Sequence, residues 1–199
     1  MYAFDPMNGG KQFWMQATSS QSAVSAAATL VFTVELPPDN MPALIARKQA
    51  DGTLAWSAAV PGAGAQAPAL AGGLVLVGTT SGLMAFDLQS GASKWTTMMP
   101  NGYAAPAQLT VGNGCAGTQP LGNLPDTAIA IAAGSGTIVV AAGQKVSLLS
   151  LADGKVLSEV TPDGVTGTLV NPILVGKRVY VVERRFPATS SRLIALQAP

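Results

Sequence analysis

Residues 85–95, Ala85-Phe86-Asp87-Leu88-Gln89-Ser90-Gly91-Ala92-Ser93-Lys94-Trp95, read A-x-D-x-x-x-G-x-x-x-W, and weaker copies recur along the chain. Ala46-Arg47-Lys48 leads to Gly52 and Trp56 with the same spacing and lysine in the aspartate's place. Ala3-Phe4-Asp5 leads to Gly9-Gly10 and Trp14 with one residue inserted. Leu148-Leu149-Ser150 leads to Gly154 and Ser158, keeping the frame and losing both aspartate and tryptophan. Ala195-Leu196-Gln197 begins a further copy. The motif glycines stand 91 − 52 = 39 and 154 − 91 = 63 residues apart. A period of about 40 is that of a propeller blade, and the longer gap calls for an insertion of about twenty residues.

Each copy describes a hairpin. Leu83-Met84-Ala85-Phe86 favours a strand, Asp87 to Gly91 a turn, and Ser93-Lys94-Trp95-Thr96 a second strand. Glycine at the turn's end supplies the positive φ that a residue with a Cβ adopts only at a cost. Ahead of the hairpin, Ala71-Gly72-Gly73-Leu74-Val75-Leu76-Val77-Gly78 is apolar almost without a break, as suits a strand covered on both faces. Propeller blades place each four-stranded sheet between two neighbours and so create that environment. The expected blade order is a short strand with proline (Ala67-Pro68-Ala69-Leu70), the apolar strand, then the hairpin.

Composition agrees with an all-β domain. Of 199 residues, 48 % are hydrophobic and 11 % charged, which excludes an ordinary disordered chain. The 22 glycines and 14 prolines punctuate short strands. A net charge of +1 provides no global field for nucleic acid or an anionic membrane surface. No apolar run reaches the roughly 18 residues of a transmembrane helix, so no direct membrane insertion is expected. One cysteine, Cys115, excludes an intramolecular disulfide framework, and the lack of histidine removes the commonest general base and metal ligand.

In chain order the reading gives one domain over 1–199. It comprises a half blade at 1–17, blades at 18–60 and 61–99, a blade at 100–162 with an insertion at 112–126, and an incomplete blade at 163–199. Residues 18–23 read as a connecting loop and 29–35 as a strand rich in β-branched residues. Beyond the insertion, 129–133, 137–142, 146–151 and 155–160 read as strands, and Ala105-Pro106-Ala107 marks a first strand before it. That is one strand more than a blade needs. About four blades result, beginning at third-strand phase, so the expectation is an N-terminally truncated part of a larger ring. With no n-region or h-region ahead of the first repeat, no secretory signal is expected within these 199 residues.

The repeat, with "APALAGGLVLVGTTSG" ahead of it, resembles the pyrroloquinoline-quinone (PQQ)-like β-propeller repeat, strongly over 67–98, well at 1–14 and 43–56, and weakly beyond Gly112. The resemblance implies that each motif tryptophan docks between blades, against the alanine of its own motif and the neighbouring blade. The pairs are Trp14 with Ala3, Trp56 with Ala46, and Trp95 with Ala85, around turns that hold Gly52, Asp87 and Gly91. A large buried ring is also a sound inter-blade adhesive on physical grounds. Most relatives carrying only the bare repeat resemble scaffolds of the bacterial cell envelope, so the resemblance implies an extracytoplasmic location and a protein partner. Quinoprotein dehydrogenases of the same fold use PQQ with calcium held by Glu, Asn and Asp, and often a vicinal disulfide. No such cluster or cysteine pair stands out here.

Other signals have plainer readings. Gly112-Asn113-Gly114-Cys115-Ala116-Gly117 spells G-x-G-x-x-G, but Pro120 follows where a dinucleotide fold needs a helix, so it reads as a surface loop. Cys115 has no histidine, lysine or arginine nearby in sequence to activate it. Asp5 and Asp87 recur at one turn position and are expected to cap backbone N–H groups there. Lys177, Arg178, Arg184, Arg185 and Arg192 make the end of the chain basic, and Arg184-Arg185-Phe186 is a possible partner-binding loop. The preferred function is therefore a non-enzymatic interaction scaffold without a cofactor. The alternatives are part of a PQQ-dependent dehydrogenase or the ligand-sensing ectodomain of a membrane-anchored protein.

Overall fold

A computed structural model gives an all-β chain of eighteen described strands. The structure describes residues 1–5, 7, 9–19, 22, 24–27, 29–36, 41–63, 67–79, 81–99, 108–111, 130–133, 136–185 and 191–197. The expectations for Ala105-Pro106-Ala107, for 112–126 with Cys115, and for Phe186 lie outside them.

The strands form five sheets in sequence order. The first is the pair β1 (Tyr2–Asp5) and β2 (Lys11–Met15). Next comes the four-stranded sheet of β3 (Ser25–Ala27), β4 (Leu30–Glu35), β5 (Ala43–Lys48) and β6 (Leu54–Ala59). The following sheet repeats it with β7 (Ala69–Ala71), β8 (Leu74–Thr79), β9 (Gly82–Asp87) and β10 (Ser93–Met98). A five-stranded sheet contains β11 (Gln108–Val111), β12 (Ala130–Ala133), β13 (Thr137–Ala142), β14 (Lys145–Ser150) and β15 (Val156–Val160). The last holds β16 (Thr168–Val175), β17 (Arg178–Arg184) and β18 (Ser191–Gln197). These are the blades of a propeller arc; among the described residues no pairing joins β1–β2 to β16–β18.

Three details differ from the sequence reading. Ala71 to Gly78 is not one strand: Gly72 and Gly73, with φ of 54° and 78°, make the tight turn from β7 to β8. The extra strand is β11, which pairs in parallel with β12 at the sheet's edge, Gln108 opposite Ala130, whereas all other neighbours are antiparallel. A parallel pair needs a crossover, and residues 112–129 lie between the two strands. A short strand also stands at 25–27, where the sequence reading has none.

Three buried clusters fill the seams between sheets. Val75 and Val77 of β8 pack toward the preceding blade with Phe32, Val34 and Leu44, whereas Leu76 packs toward the following one with Ile138, Val140 and Leu149. β13 does the same: its Val139 and Ala141 turn to Leu169, Val179 and Val181 of the last blade. Successive residues of a strand point to opposite faces, so a sheet buried on both sides has no polar face to alternate with. That is why these runs are continuously apolar.

Candidate interaction surface

The repeat turn is built the same way three times. The Gly52, Gly91 and Gly154 N–H groups donate to the Lys48, Asp87 and Ser150 carbonyls, each at 2.9 Å. The Lys48, Asp87 and Ser150 N–H groups donate to the carbonyls of Thr53, Ala92 and Lys155 at 2.8–2.9 Å. The three glycines have φ of 72°, 72° and 70°, the left-handed region a Cβ disfavours.

Carboxylates hold these turns closed. Asp87 Oδ1 accepts from the Gln89 N–H (3.1 Å), the Ser90 N–H (2.9 Å) and the Ser90 hydroxyl (2.9 Å), and Oδ2 meets Lys94 Nζ at 3.1 Å. The backbone bond from Ser90, its hydroxyl and Lys94 draw the Asp87 pKa down to about 2. Where the motif aspartate is absent, another acts from the position before the glycine. Asp51 accepts from the Thr53 N–H (2.9 Å) and hydroxyl (2.7 Å), and Asp153 from the Lys155 N–H (3.3 Å). Bonds from Thr53 lower the Asp51 pKa, and the Ser150 hydroxyl with Lys155 brings Asp153 to about 2. Sequence reasoning missed both, although Asp51-Gly52 and Asp153-Gly154 were visible as D-G turn signals. The Asp5 side chain lies outside the described residues.

Each motif tryptophan faces its own alanine across the hairpin: Ala3 stands opposite Trp14, Ala46 opposite Trp56 and Ala85 opposite Trp95. Its ring also reaches the turn of the next blade. The indole N–H of Trp14 donates to the Gln49 carbonyl (2.7 Å), that of Trp56 to Leu88 (3.2 Å) and that of Trp95 to Leu151 (3.1 Å). The rings lie over the next turn's glycine so closely that a Cβ on Gly52, Gly91 or Gly154 would stand 2.5–2.6 Å from a tryptophan Cε3. Two demands, positive φ and no space, thus converge on one residue.

The last seam departs from this pattern. Ser158 stands opposite Leu148 where the other hairpins pair tryptophan with alanine. β18 has β17 on one side and no described strand on the other. A cleft of about 490 Å³ lies there, lined by Val160 to Asp163 and by Arg192 to Leu196. Arg192, which lines the cleft, belongs to a charge cluster centred on Glu183, which has no exposed surface. Its carboxylate accepts from the Thr166 and Gly167 N–H groups at 2.8 and 2.9 Å. It is paired with Arg185 Nε at 3.1 Å and Arg192 Nε at 2.9 Å. Arg185 and the two N–H groups hold the Glu183 pKa at about 2. Arg184 ends β17 instead of lying in the loop, and Arg185 is engaged by Glu183. Among the described residues, no three His, Cys, Asp or Glu side chains converge as a metal would require. No described helix is long and apolar enough to cross a membrane.

Repeated four-stranded sheets, continuous apolar seams and a shared A-x-D-x-x-x-G-x-x-x-W hairpin define a PQQ-like β-propeller. Residues 1–161 match the family described as outer membrane protein assembly factor BamB, and the chain belongs to that family. BamB from Moraxella catarrhalis superposes with a TM-score of 0.61 at 15 % identity, covering 94 % of this chain and 50 % of that one. The computationally designed Ika4 protein matches with a TM-score of 0.65 at 12 % identity, over 96 % of this chain and 99 % of that one. Tetrathionate hydrolase of Acidithiobacillus ferrooxidans is 25 % identical over 217 residues, which cover 86 % of this chain and 43 % of that protein. The chain thus spans half or less of the length of BamB and of the hydrolase.

Proposed function

We propose that this chain is a non-enzymatic propeller scaffold that binds a protein partner in the bacterial cell envelope and uses no cofactor. One observation carries the reading. The described carboxylates that the repeats offer for chemistry are engaged in structure: Asp51, Asp87 and Asp153 cap turns, and Glu183 clamps two arginines. A general acid or base must be free to exchange a proton near working pH, whereas Asp87, Asp153 and Glu183 are held at about 2. Membership of the BamB family supports the location and the scaffold role. Chemical cross-linking of the protein in cell-envelope extract, followed by capture, is expected to yield a defined protein partner.

A second reading has its own support, the match to a protein named for tetrathionate hydrolysis over 86 % of this chain. In that reading the chain contributes blades to a hydrolytic propeller. Incubation with tetrathionate, and in parallel with PQQ, calcium and a redox dye for the dehydrogenase alternative, separates the readings. Turnover in either arm refutes the scaffold proposal.

A further inference from the structure

The blade of β11 to β15 holds two segments with a claim to be its first strand. In sequence, Ala105-Pro106-Ala107 leads into β11 as Ala67-Pro68-Ala69 leads into β7. In the fold, β12 has the place: Ala132 and Ala133 stand opposite Val139 and Ile138, as Ala69 and Leu70 stand opposite Leu76 and Val75. β11 lies one strand further from β13, beside β12, and comes near β7 and β16, the first strands of the flanking blades. Gly91 to Gly154 exceeds the step between the preceding motif glycines by 63 − 39 = 24 residues. Residues 112–133, from the end of β11 to the end of β12, account for 22 of them. Without them Val111 would run through Gly134-Ser135-Gly136 into β13. Ala71-Gly72-Gly73-Leu74 has that same order of strand, small residues and apolar strand in the blade before.

The geometry lets β11 move into this place. β11 and β12 run the same way, so both run antiparallel to β13. Their register sets Leu109 beside Ile131, Thr110 beside Ala132 and Val111 beside Ala133. A sideways step of one strand spacing, about 4.8 Å, brings Leu109, Thr110 and Val111 opposite Val140, Val139 and Ile138. The step needs no reversal of direction, and keeping the register avoids the exchange of faces that a one-residue slip would impose.

Opposing terms hold the two arrangements close in free energy. Residue type favours β11: Gln-Leu-Thr-Val contains two β-branched residues, whereas Ala-Ile-Ala-Ala contains one among three alanines. Opposite the buried Ile138, Val111 offers more apolar surface than Ala133. Proximity favours β12, which reaches β13 through residues 134–136, where β11 must close a loop over 112–136. That cost grows only with the logarithm of loop length. The exchange gives up the parallel β11–β12 ladder, the weaker kind, and residues 112–133 regain conformational freedom in return.

We propose that β11 and β12 are alternative first strands that exchange at β13. The pair is a two-state switch: with β12 in place, residues 112–133 are anchored to the blade, and with β11 in place they are released. This holds or fails independently of the scaffold reading.

Crosslinking tests the exchange in the whole chain, with Cys115→Ser removing the native thiol. Thr110→Cys and Val139→Cys lie two strand spacings apart, about 9–10 Å, beyond the roughly 7 Å that a disulfide can bridge. They close only when β11 sits on β13. Ala132→Cys with Val139→Cys, direct neighbours, is the positive control, and Thr110→Cys with Lys155→Cys reports global unfolding. Under mild oxidation without denaturant, the 110–139 pair is expected to close about ten- to a thousandfold more slowly than the positive control, as for a minor state populated at about 0.1–10 %. If it stays open while that control closes, or closes no faster than the 110–155 pair, the exchange is overturned. Deletion of 112–133 gives a second reading. The shortened chain is expected to unfold cooperatively in urea and to show slowed hydrogen exchange at 108–111. Loss of the cooperative transition, or fast exchange at those amides, shows that β11 cannot serve as a first strand and overturns the proposal as well.

Discussion

Gly91→Ala tests the seam most directly. At φ +72° an alanine incurs the cost of left-handed backbone, about 1–2 kcal/mol. Its Cβ would also stand 2.5 Å from Trp56 Cε3, while carbon contacts settle at about 3.5–4.0 Å, so the ring must retreat by about 1 Å. That retreat strains the 3.2 Å bond from the indole N–H to the Leu88 carbonyl and disturbs the packing against Phe32, whose ring centroid is 5.8 Å away. Overpacking of this kind costs about 1–3 kcal/mol, giving about 2–5 kcal/mol in all.

Gly176→Ala supplies the control. Its φ is +58° and nothing lies within 4 Å of the added carbon, so only the backbone cost of about 1–2 kcal/mol applies. Equilibrium urea unfolding followed by circular dichroism measures both, and an unchanged slope shows that the midpoint shift is a stability change. Combining Gly91→Ala with Trp56→Ala removes the obstructing ring, so the glycine substitution should then cost no more than the control. The expected coupling is about 1–3 kcal/mol. Equal costs for the two glycine variants, or strict additivity with Trp56→Ala, would refute the claim that glycine is required because the neighbouring blade's indole covers it.

Trp95→Phe keeps a ring in the seam but removes the 3.1 Å donation to Leu151, and should lower stability by about 0.5–1.5 kcal/mol in the same urea assay. Glu183→Gln withdraws the charge that holds Arg185 and Arg192, so hydrogen exchange should accelerate first at Thr166 and Gly167, whose N–H groups donate to that carboxylate. The Glu183 pKa is lowered from 4.5 to about 2 in the fold. Its contribution is therefore fully present above pH 4.5 and lost as pH falls toward 2, and a pH titration of the urea midpoint should lose that acid dependence in the Gln variant.

The hairpins were legible because their information is local. A tryptophan, an alanine and a glycine at fixed spacing specify strand, turn and strand. The apolar runs of β8 and β13 were legible for a similar reason, since burial on both faces leaves no alternation. What escaped depends on contacts between distant residues. β3 is Ser-Ala-Ala, with no β-branched or aromatic residue to announce it, and exists because it pairs with β4. The parallel addition of β11 to β12 follows from a crossover that no local pattern encodes. The glycine's second role, as the floor beneath another blade's indole, was hidden because its partner lies in the preceding repeat. In the basic segment, sequence showed the charges, but only the fold shows that Glu183 engages Arg185 and Arg192 while Arg184 stays free of ion pairs among the described residues.

The two capping schemes argue that the turn, not the aspartate position, is what the repeat maintains. In one hairpin the carboxylate acts from the first turn residue, Asp87, and reaches the N–H groups of Gln89 and Ser90. In two others it acts from just before the glycine, as Asp51 or Asp153, and reaches the N–H beyond it. The backbone bonds that close the turn are nevertheless the same in all three, within 0.1 Å. The schemes should therefore be exchangeable. Asp51→Ser removes one cap and should lower the urea midpoint. Adding Lys48→Asp to that variant puts a carboxylate at the start of the turn and leaves a hydroxyl just before Gly52. That is the arrangement of Asp87 and Ser90 ahead of Gly91, and it should restore most of the loss. A double variant no more stable than Asp51→Ser would show that each turn depends on its own side-chain context, and that the shared backbone bonds do not explain the repeat.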